Sequence, residues 1–523
     1  IGTLAYTYTE EPPKDLTMHP NVAVWLCHMF PSCQSHPIAT CEKNANFKRR
    51  AQKWAEICDH LYIWYYIVDF AHYYNPYPNF GAMAADYRFY FDICVEGIYS
   101  QAMGHGGGGG EFSLLRPYYA TELMQNHALD PDSVIYDFLQ GYYGDAAPHI
   151  YRYVKMLQHK VDTDAVHMHL YTNPGQGYLT DEIVAAGEDL FNQAEQAVAD
   201  NEQLLERVRV CRMPLVYARW FPRNGYEIAD GKMRFLGDLA KPDEMKAFGA
   251  RMAAHGFINI REWGGSPDEL ALYSMVLNTP IPLPSITNQH LTVDVAPFMG
   301  GRALRIIHNA TGECVTAYNV VQSLVFPFGG GEDTRVGGNF AVHEGGPMVQ
   351  AEVAGVSENK DAITLTMQAR GLTIERRIAL DPDRPVVVFT ITATNPGDKP
   401  AVTRVRSHLE LNLGDLASTR MAFQNLGGET LDTDMRPVVN LLREGQMFHA
   451  DTQTLPNGEW AFSGSKGLRV TQRFDPQVVD LTWVYAYPEE MQDLEIELWR
   501  VEEEIPPGQS VTLRHELEIQ PAP

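Results

Sequence analysis

The sequence has no run of eighteen apolar residues, so no segment of it is a membrane-spanning helix. It lacks any excess of positive charge. Lys and Arg number 41 against 66 Asp and Glu, a formal net charge of −25, and such a surface repels nucleic acid and anionic membrane, excluding both as main partners. No short repeat is present. Cysteine is scarce and odd in number, seven in 523 residues. The glycine run 106–110 lacks the Lys and Ser/Thr of a phosphate-binding loop and reads as a lid or rim. The first residues do not read as a signal peptide: Ile1-Gly2-Thr3-Leu4-Ala5-Tyr6-Thr7-Tyr8-Thr9 reads as a buried strand. A native chain seldom starts inside a core strand. An upstream segment is therefore expected, with room in it for a signal peptide.

What is there is length enough for two or three domains and an aromatic content of 11%, crowded into the first 180 residues. Tyr and Trp offer a flat apolar face and a polar tip, which suits sugars as well as cores. The first stretch alternates strands (4–9, 22–26, 61–68, 95–100) with helices (46–58, 84–93, 112–125), the rhythm of a parallel sheet. Four strands do not close a barrel, which needs eight. Residues 131–220 read as helical, with Asp130-Pro131 opening one helix. From 181 to 208 the apolar residues Ile183, Leu190, Ala197 and Leu204 recur at sevens, as in one long helix packed lengthwise. Residues 241–255 form another helix. Beyond about 285 the pattern turns to period two, as in Ile363, Leu365 and Met367 or Phe389, Ile391 and Ala393, with turns at Asn395-Pro396-Gly397 and Pro456-Asn457-Gly458. That is an antiparallel sandwich. The expected architecture is α/β plus all-β: a partial TIM-type β/α barrel (1–160), a helical segment (161–284) and an antiparallel, supersandwich-like β-sandwich (285–523).

The first 160 residues resemble the domain of unknown function numbered 4838, which lies within glycoside hydrolase family 163, endo-acting β-N-acetylglucosaminidases of N-glycans. The resemblance rests on Leu4-Ala5-Tyr6-Thr7-Tyr8-Thr9 with Pro12-Pro13, His19-Pro20-Asn21-Val22, Leu61-Tyr62-Ile63-Trp64, Phe70-Ala71-His72-Tyr73 with Pro76-Tyr77-Pro78-Asn79, Gly97-Ile98-Tyr99, Glu111-Phe112 and Gly141-Tyr142-Tyr143-Gly144. It implies a barrel glycosidase, an α-glucuronidase-like domain in front of it, a glycan substrate and a secreted or periplasmic location. It also implies that the strand with Tyr6 and Tyr8 falls near mid-barrel, the rest coming from an upstream segment or a second chain. A homo-oligomer is left open, and no cofactor is implied. The chain departs from the family in three places: Ser100 stands where the family has a Glu, Tyr65 where it has an Asp, and Asp69 where it usually has an Asn.

Glycoside hydrolysis needs one carboxyl group as proton donor and a second as nucleophile, base or stabiliser, or the substrate's own acetamido oxygen in place of the second. Near the strand ends stand Asp69, Asp86, Glu96 and Glu111. Glu96 belongs to the far face, and Asp86 reads as a helix cap. Asp69 and Glu111 are the catalytic candidates, although a carboxylate at a helix N-terminus, as Glu111 is, is favoured by the helix dipole alone. Tyr6, Tyr8, Trp25, Trp64, Tyr66 and Tyr73 are candidate sugar platforms, with core packing as the alternative for each. Ser100, Gln101, His28 and His105 are candidate hydrogen-bonding groups. Asp69, Ser100, Glu111, Trp64 and Tyr66 are expected in one pocket. Cys27, Cys33, His36 and Cys41 leave open a zinc site, a disulfide or buried thiols; the spacing fits no standard finger, and the reading taken is without a metal. Two other classes stand beside the hydrolase: a glycan-binding protein that has lost catalysis, and a structural protein of a cell envelope.

Overall fold

The computed structural model describes residues 1–6, 9–29, 32–103, 109–172, 177–220, 226–237, 239–262, 278–317, 330–337, 351–435, 446–449, 454–486 and 493–522. The chain divides into two compact units, one of residues 1–227 and 234–279, the other of 228–233 and 280–523. The segment read as a helical extension thus falls within the first unit as far as residue 279, apart from 228–233.

In the N-terminal unit four strands, β1 (Gly2–Ala5), β2 (Ala23–Cys27), β3 (His60–Tyr66) and β4 (Gly97–Gln101), form a sheet in chain order. All three pairings are parallel. Helix α1 (Ala45–Ile57) connects β2 to β3, and α2 (Phe80–Asp92) connects β3 to β4. The two faces of the sheet differ. Val24, Leu26, Leu61, Ile63 and Tyr65 are buried beneath those helices. Tyr65 reaches Asp86 and Tyr90 of α2, and His28, just past β2, packs on Phe47 of α1. The opposite face carries Leu4, Trp25, Tyr62, Trp64 and Tyr99, in register across the strands, and Leu4 and Tyr99 are exposed. Gly97 lies in this face because a Cβ there would come within 2.9 Å of the Tyr62 ring.

Helix α2 starts at Phe80, four residues before the expected start, behind Pro78-Asn79. Asp86 therefore sits inside the helix and caps nothing. It is buried, accepting hydrogen bonds from the Ile38 N–H (2.7 Å) and the Tyr65 hydroxyl (2.7 Å). Burial pushes its carboxyl up to about 7. Helices α3 (Leu115–Gln125), α4 (Pro131–Tyr143), α5 (Ala147–Thr163), α6 (Asp181–Ala197), α7 (Glu202–Ala218) and α8 (Pro242–Ala254) follow. The sevenfold pattern over 181–208 belongs to two helices. Asn201 accepts from the Leu204 N–H (3.1 Å) and starts α7 anew, as Thr180 starts α6. The repeat arose because both helices bury an apolar stripe, and an N-cap after Asp200 outweighs it.

In the C-terminal unit the expected sandwich is present. Among the described residues two nine-stranded sheets are formed. Strands such as Leu372–Leu380, Val386–Thr394 and Ser510–Pro521 pair antiparallel in one sheet, and Gly331–Val336, Val405–Leu411 and Leu494–Arg500 in the other. Between residues 285 and 522 the described helical segments are single turns, Pro297–Met299 and Leu416–Ser418. Period-two side chains fill the core, among them Ile378, Phe389, Ile391, Leu409, Ile496, Leu513 and Leu517. Each contributes about 1.5–3 kcal/mol when fully buried.

Candidate functional site

A cavity of about 370 Å³ lies at the carboxyl ends of the four parallel strands, lined by Leu4, Tyr6, Cys27, Met29, Trp64, Tyr66, Phe70, Gln101, Tyr171 and Glu262. The strands supply most of it. Trp64 donates its indole N–H to the Gln101 side-chain oxygen at 2.6 Å and meets Tyr99 edge-on, centroids 5.0 Å apart. Tyr66 stands edge-on to Phe70 at 5.6 Å. The remaining wall comes from far along the chain. The loop after β3 receives a hydrogen bond at Phe70 O from Glu262 N (2.9 Å), gives one from Phe70 N to Leu170 O (2.8 Å) and gives another from Tyr73 N to Ile260 O (2.8 Å). These clasps bring Tyr171 and Glu262 against the strand ends, where the Tyr171 hydroxyl donates to Glu262 Oε2 at 3.2 Å. Burial, and next the Glu262 carboxylate, hold the Tyr171 hydroxyl well above the usual tyrosine range.

Of the residues proposed from the sequence, Tyr6, Trp64, Tyr66 and Gln101 line this cavity. Tyr8 and His105 lie outside the described residues. Ser100 faces the other way: side chains alternate along β4, so Gln101 meets the cavity while Ser100 meets the helices and shares a hydrogen bond of 2.9 Å with Tyr87. Trp25 shares the open face but stacks on Tyr62 further down the strands (4.8 Å). His28 is buried near Asn44 (3.4 Å), and burial pushes its imidazole down to about 3. Tyr73 is buried with its ring against Phe70.

The two carboxylates taken as catalytic are absent from the lining. Asp69 is 1% exposed and turns back on its own loop, accepting from the Ala71 N–H (3.0 Å) and Asn75 Nδ2 (2.8 Å). Burial raises its carboxyl well above the carboxylate range. Glu111 is paired with Arg116 of α3, whose guanidinium also donates to the backbone carbonyls of Ile67 and Tyr77 and to the Asn79 side chain. That hub ties the end of β3 to α2 and α3. The expected grouping of Asp69, Ser100 and Glu111 with Trp64 and Tyr66 is not formed around this cavity. Glu262 is the carboxylate that does line it. It follows α8 in a loop, where no periodic signal marks it. The local mark of it is the string Arg261-Glu262-Trp263-Gly264-Gly265 just after Phe257-Ile258-Asn259-Ile260.

A second concentration of polar groups lies in the C-terminal unit, on the face of its sheet turned away from the sandwich core. Asp333, Arg335, Arg406, His408, Glu410, Glu495 and Glu497 alternate there with core-facing Thr334, Ser407, Leu409 and Ile496, all of them buried. His408 Nδ1 is 3.3 Å from Asp333, and its Nε2 lies 3.3 Å from Glu410 and 3.2 Å from Glu495. Burial and Arg335 lower the His408 pKa, but Glu495 and Asp333 prevail and lift it to about 9. Arg335 pairs with Asp333 and Arg406 with Glu497 on this face, and His408 stands between Asp333, Glu410 and Glu495.

A model of the domain of unknown function DUF4838 matches residues 1–155. No curated protein matches the chain. Among solved structures the chain is similar to a putative aldose 1-epimerase from Escherichia coli K12, at 13% identity over 46% of this chain and 99% of that one, TM-score 0.34. It is similar also to a GalM/aldose epimerase homologue from C. elegans, at 14% identity over 46% and 99%, TM-score 0.36. A third is a TPR-domain containing protein from Parabacteroides distasonis ATCC 8503, at 14% identity over 47% and 49%, TM-score 0.36. At these scores nothing carries over from those proteins to this chain.

Proposed function

We propose that this chain is a carbohydrate-active protein that takes a glycan into the cavity of its N-terminal unit, and that it acts there as a glycoside hydrolase with Glu262 as proton donor. The observation that carries the reading is the lining itself. Flat walls from Tyr6, Trp64, Tyr66 and Tyr171 surround two polar groups, Gln101 and Glu262, the composition that holds a sugar by its apolar faces and fixes its orientation by a few hydrogen bonds. The position at the carboxyl ends of parallel strands is where α/β folds bind ligands. Strand order, parallel pairing and helices on one face support reading the sheet as part of a β/α barrel, completed by a further segment or another chain.

Glu262 is the single carboxylate in the lining among the described residues. That favours the substrate-assisted route. The sugar's acetamido oxygen attacks the anomeric carbon, the glycosidic C–O bond breaks, and the leaving oxygen takes the Glu262 proton. Water then opens the cyclic intermediate. The Tyr171 hydroxyl, donating to Glu262 Oε2, fixes the orientation of that carboxyl group.

The second reading, a glycan-binding protein without catalysis, is favoured by the structural ties of Asp69, Glu111 and Ser100. Incubation with N-glycans and with uronic-acid glycans, read as sugar released and glycan bound, separates the two. A hydrolase releases sugar, and Glu262→Gln slows release at least about 100-fold with binding kept within a few-fold. A binder holds glycan without release. A wild-type chain that does neither overturns both readings.

A further inference from the structure

The loop from β2 to α1 carries Cys33, His36 and Cys41, and the loop from α5 to α6 carries His167. The fold brings them together. His167 Nδ1 is 3.2 Å from Cys33 Sγ and 3.6 Å from Cys41 Sγ, and the three ligand atoms lie within 4.8 Å of one another. Two thiolates and an imidazole around a tetrahedral zinc ion stand about 3.5–3.8 Å apart, given Zn–S near 2.3 Å and Zn–N near 2.0–2.1 Å. The His36 ring lies 4.9 Å from that of His167, and its buried Nε2 has no hydrogen-bond partner among the described residues.

We propose that Cys33, Cys41 and His167 bind a zinc ion, with His36 as the fourth ligand, in a closed structural site that pins these two loops together.

The backbone that presents the ligands is already fixed. Asn44, fully buried, accepts from the Cys33 N–H (2.8 Å) and donates to the carbonyls of Cys33 (2.8 Å) and His36 (3.2 Å). Cys41 N–H donates to Pro37 O at 2.9 Å. Across the loops, Gln34 N–H donates to Met168 O (2.7 Å) and the Ser35 hydroxyl to Val166 O (2.7 Å). A site held this way loses little entropy on taking up an ion. Two sulfurs and two nitrogens form a donor set that selects zinc over calcium or magnesium. The ion would sit four residues before Tyr171, so it would also steady one wall of the glycan cavity. The cysteine spacing alone matched no finger because the third ligand comes from 126 residues beyond Cys41.

The test uses the full chain, purified with reductant, stripped with a chelator and titrated with zinc and with cobalt(II). One equivalent of zinc per chain is expected. Cobalt should give the intense visible bands of a tetrahedral ion and the near-ultraviolet charge transfer of thiolate ligands. Cys33→Ser, Cys41→Ser and His167→Ala should each weaken binding at least about 100-fold, and His36→Ala about 10–100-fold. Unchanged affinity in His36→Ala removes His36 from the ligand set. Should the cysteine variants fail to fold, alkylation of the wild type with and without zinc decides, because Cys33 and Cys41 must be the thiols that zinc protects. No stoichiometric uptake, or a Cys33–Cys41 disulfide in chain purified without reductant and with zinc present, would overturn the proposal. Hydrogen exchange over residues 164–172 should quicken when zinc is withdrawn from the wild type and stay unchanged in Cys33→Ser.

Discussion

The two units bury polar groups in opposite ways. In the N-terminal unit the buried carboxylates are separated and each is held by neighbours of its own. Asp86 rests on Tyr65 and the Ile38 N–H, Asp69 on Asn75 and the Ala71 N–H, and Glu111 on Arg116. In the C-terminal unit they form a connected network. Arg376 spans the sandwich to Glu332, which also meets Ser407 and His515, while Arg302, Asp333, Arg335 and His408 link up on the other face of the same sheet. The first arrangement leaves the strand ends free to form a cavity of aromatic walls. The second spends a whole sheet face on mutual neutralisation, and a charged group there depends on several others at once.

The largest expected effect breaks that network. Arg376→Met leaves Glu332 buried without its guanidinium, and the C-terminal unit should lose about 3–5 kcal/mol. Arg116→Met should cost the N-terminal unit a similar amount by stranding Glu111. Hydrogen exchange localises each loss, and a loss spread equally over both units would erase the distinction between them.

Next is pH. His408 is raised in the folded chain to about 9 from an ordinary 6.5. Its contribution is complete below 6.5 and is lost as pH rises through about 9, on the order of 3 kcal/mol in all. His28 and His72 of the N-terminal unit, both pushed down to about 3, chiefly by burial, act in the opposite window. They remain neutral while the unfolded chain gains protons, so stability falls as pH drops from 6.5 toward 3. Asp86, raised to about 7, and Asp69 and Glu111, also raised by burial, stabilise the fold as pH falls and so offset part of this loss. Thermal melts read by exchange should therefore show the His408 contribution lost from the C-terminal unit as pH rises through about 9, and the His28 and His72 contribution lost from the N-terminal unit as pH falls from 6.5 toward 3. His515, also near 3, and Asp333, which burial pushes up but Arg335 and Arg302 hold well below the carboxylate range, add acid sensitivity to the C-terminal unit, so His408→Gln, which should remove the alkaline loss in that unit alone, is the sharper test.

Two smaller effects probe the cavity. Trp64→Leu should weaken glycan binding by about tenfold, roughly 1.4 kcal/mol, with little change in stability, since the ring lies on the open face. Ser100→Ala should cost about 1 kcal/mol of stability through the lost hydrogen bond to Tyr87 and leave glycan binding unchanged. A binding loss in Ser100→Ala would return Ser100 to the site.

Periodicity settled the elements. Alternation in 363–367 and 389–393 could bury one face only as antiparallel strands, and the apolar run 61–66 between helical stretches could only be a buried parallel strand. Element boundaries were less legible: the start of α2 and the break at Asn201 were set by caps that compete with apolar spacing. Site residues on the strands were readable where parity is decisive, as with Trp64, Tyr66 and Gln101, while parity turned Ser100 away. What tertiary structure alone decided was long-range closure. Glu262 reaches the cavity through a backbone clasp from Phe70, and His167 reaches Cys33 and Cys41 across 126 residues or more. A sequence states the local preferences of each segment, but the pairing of two loops depends on how the elements between them pack.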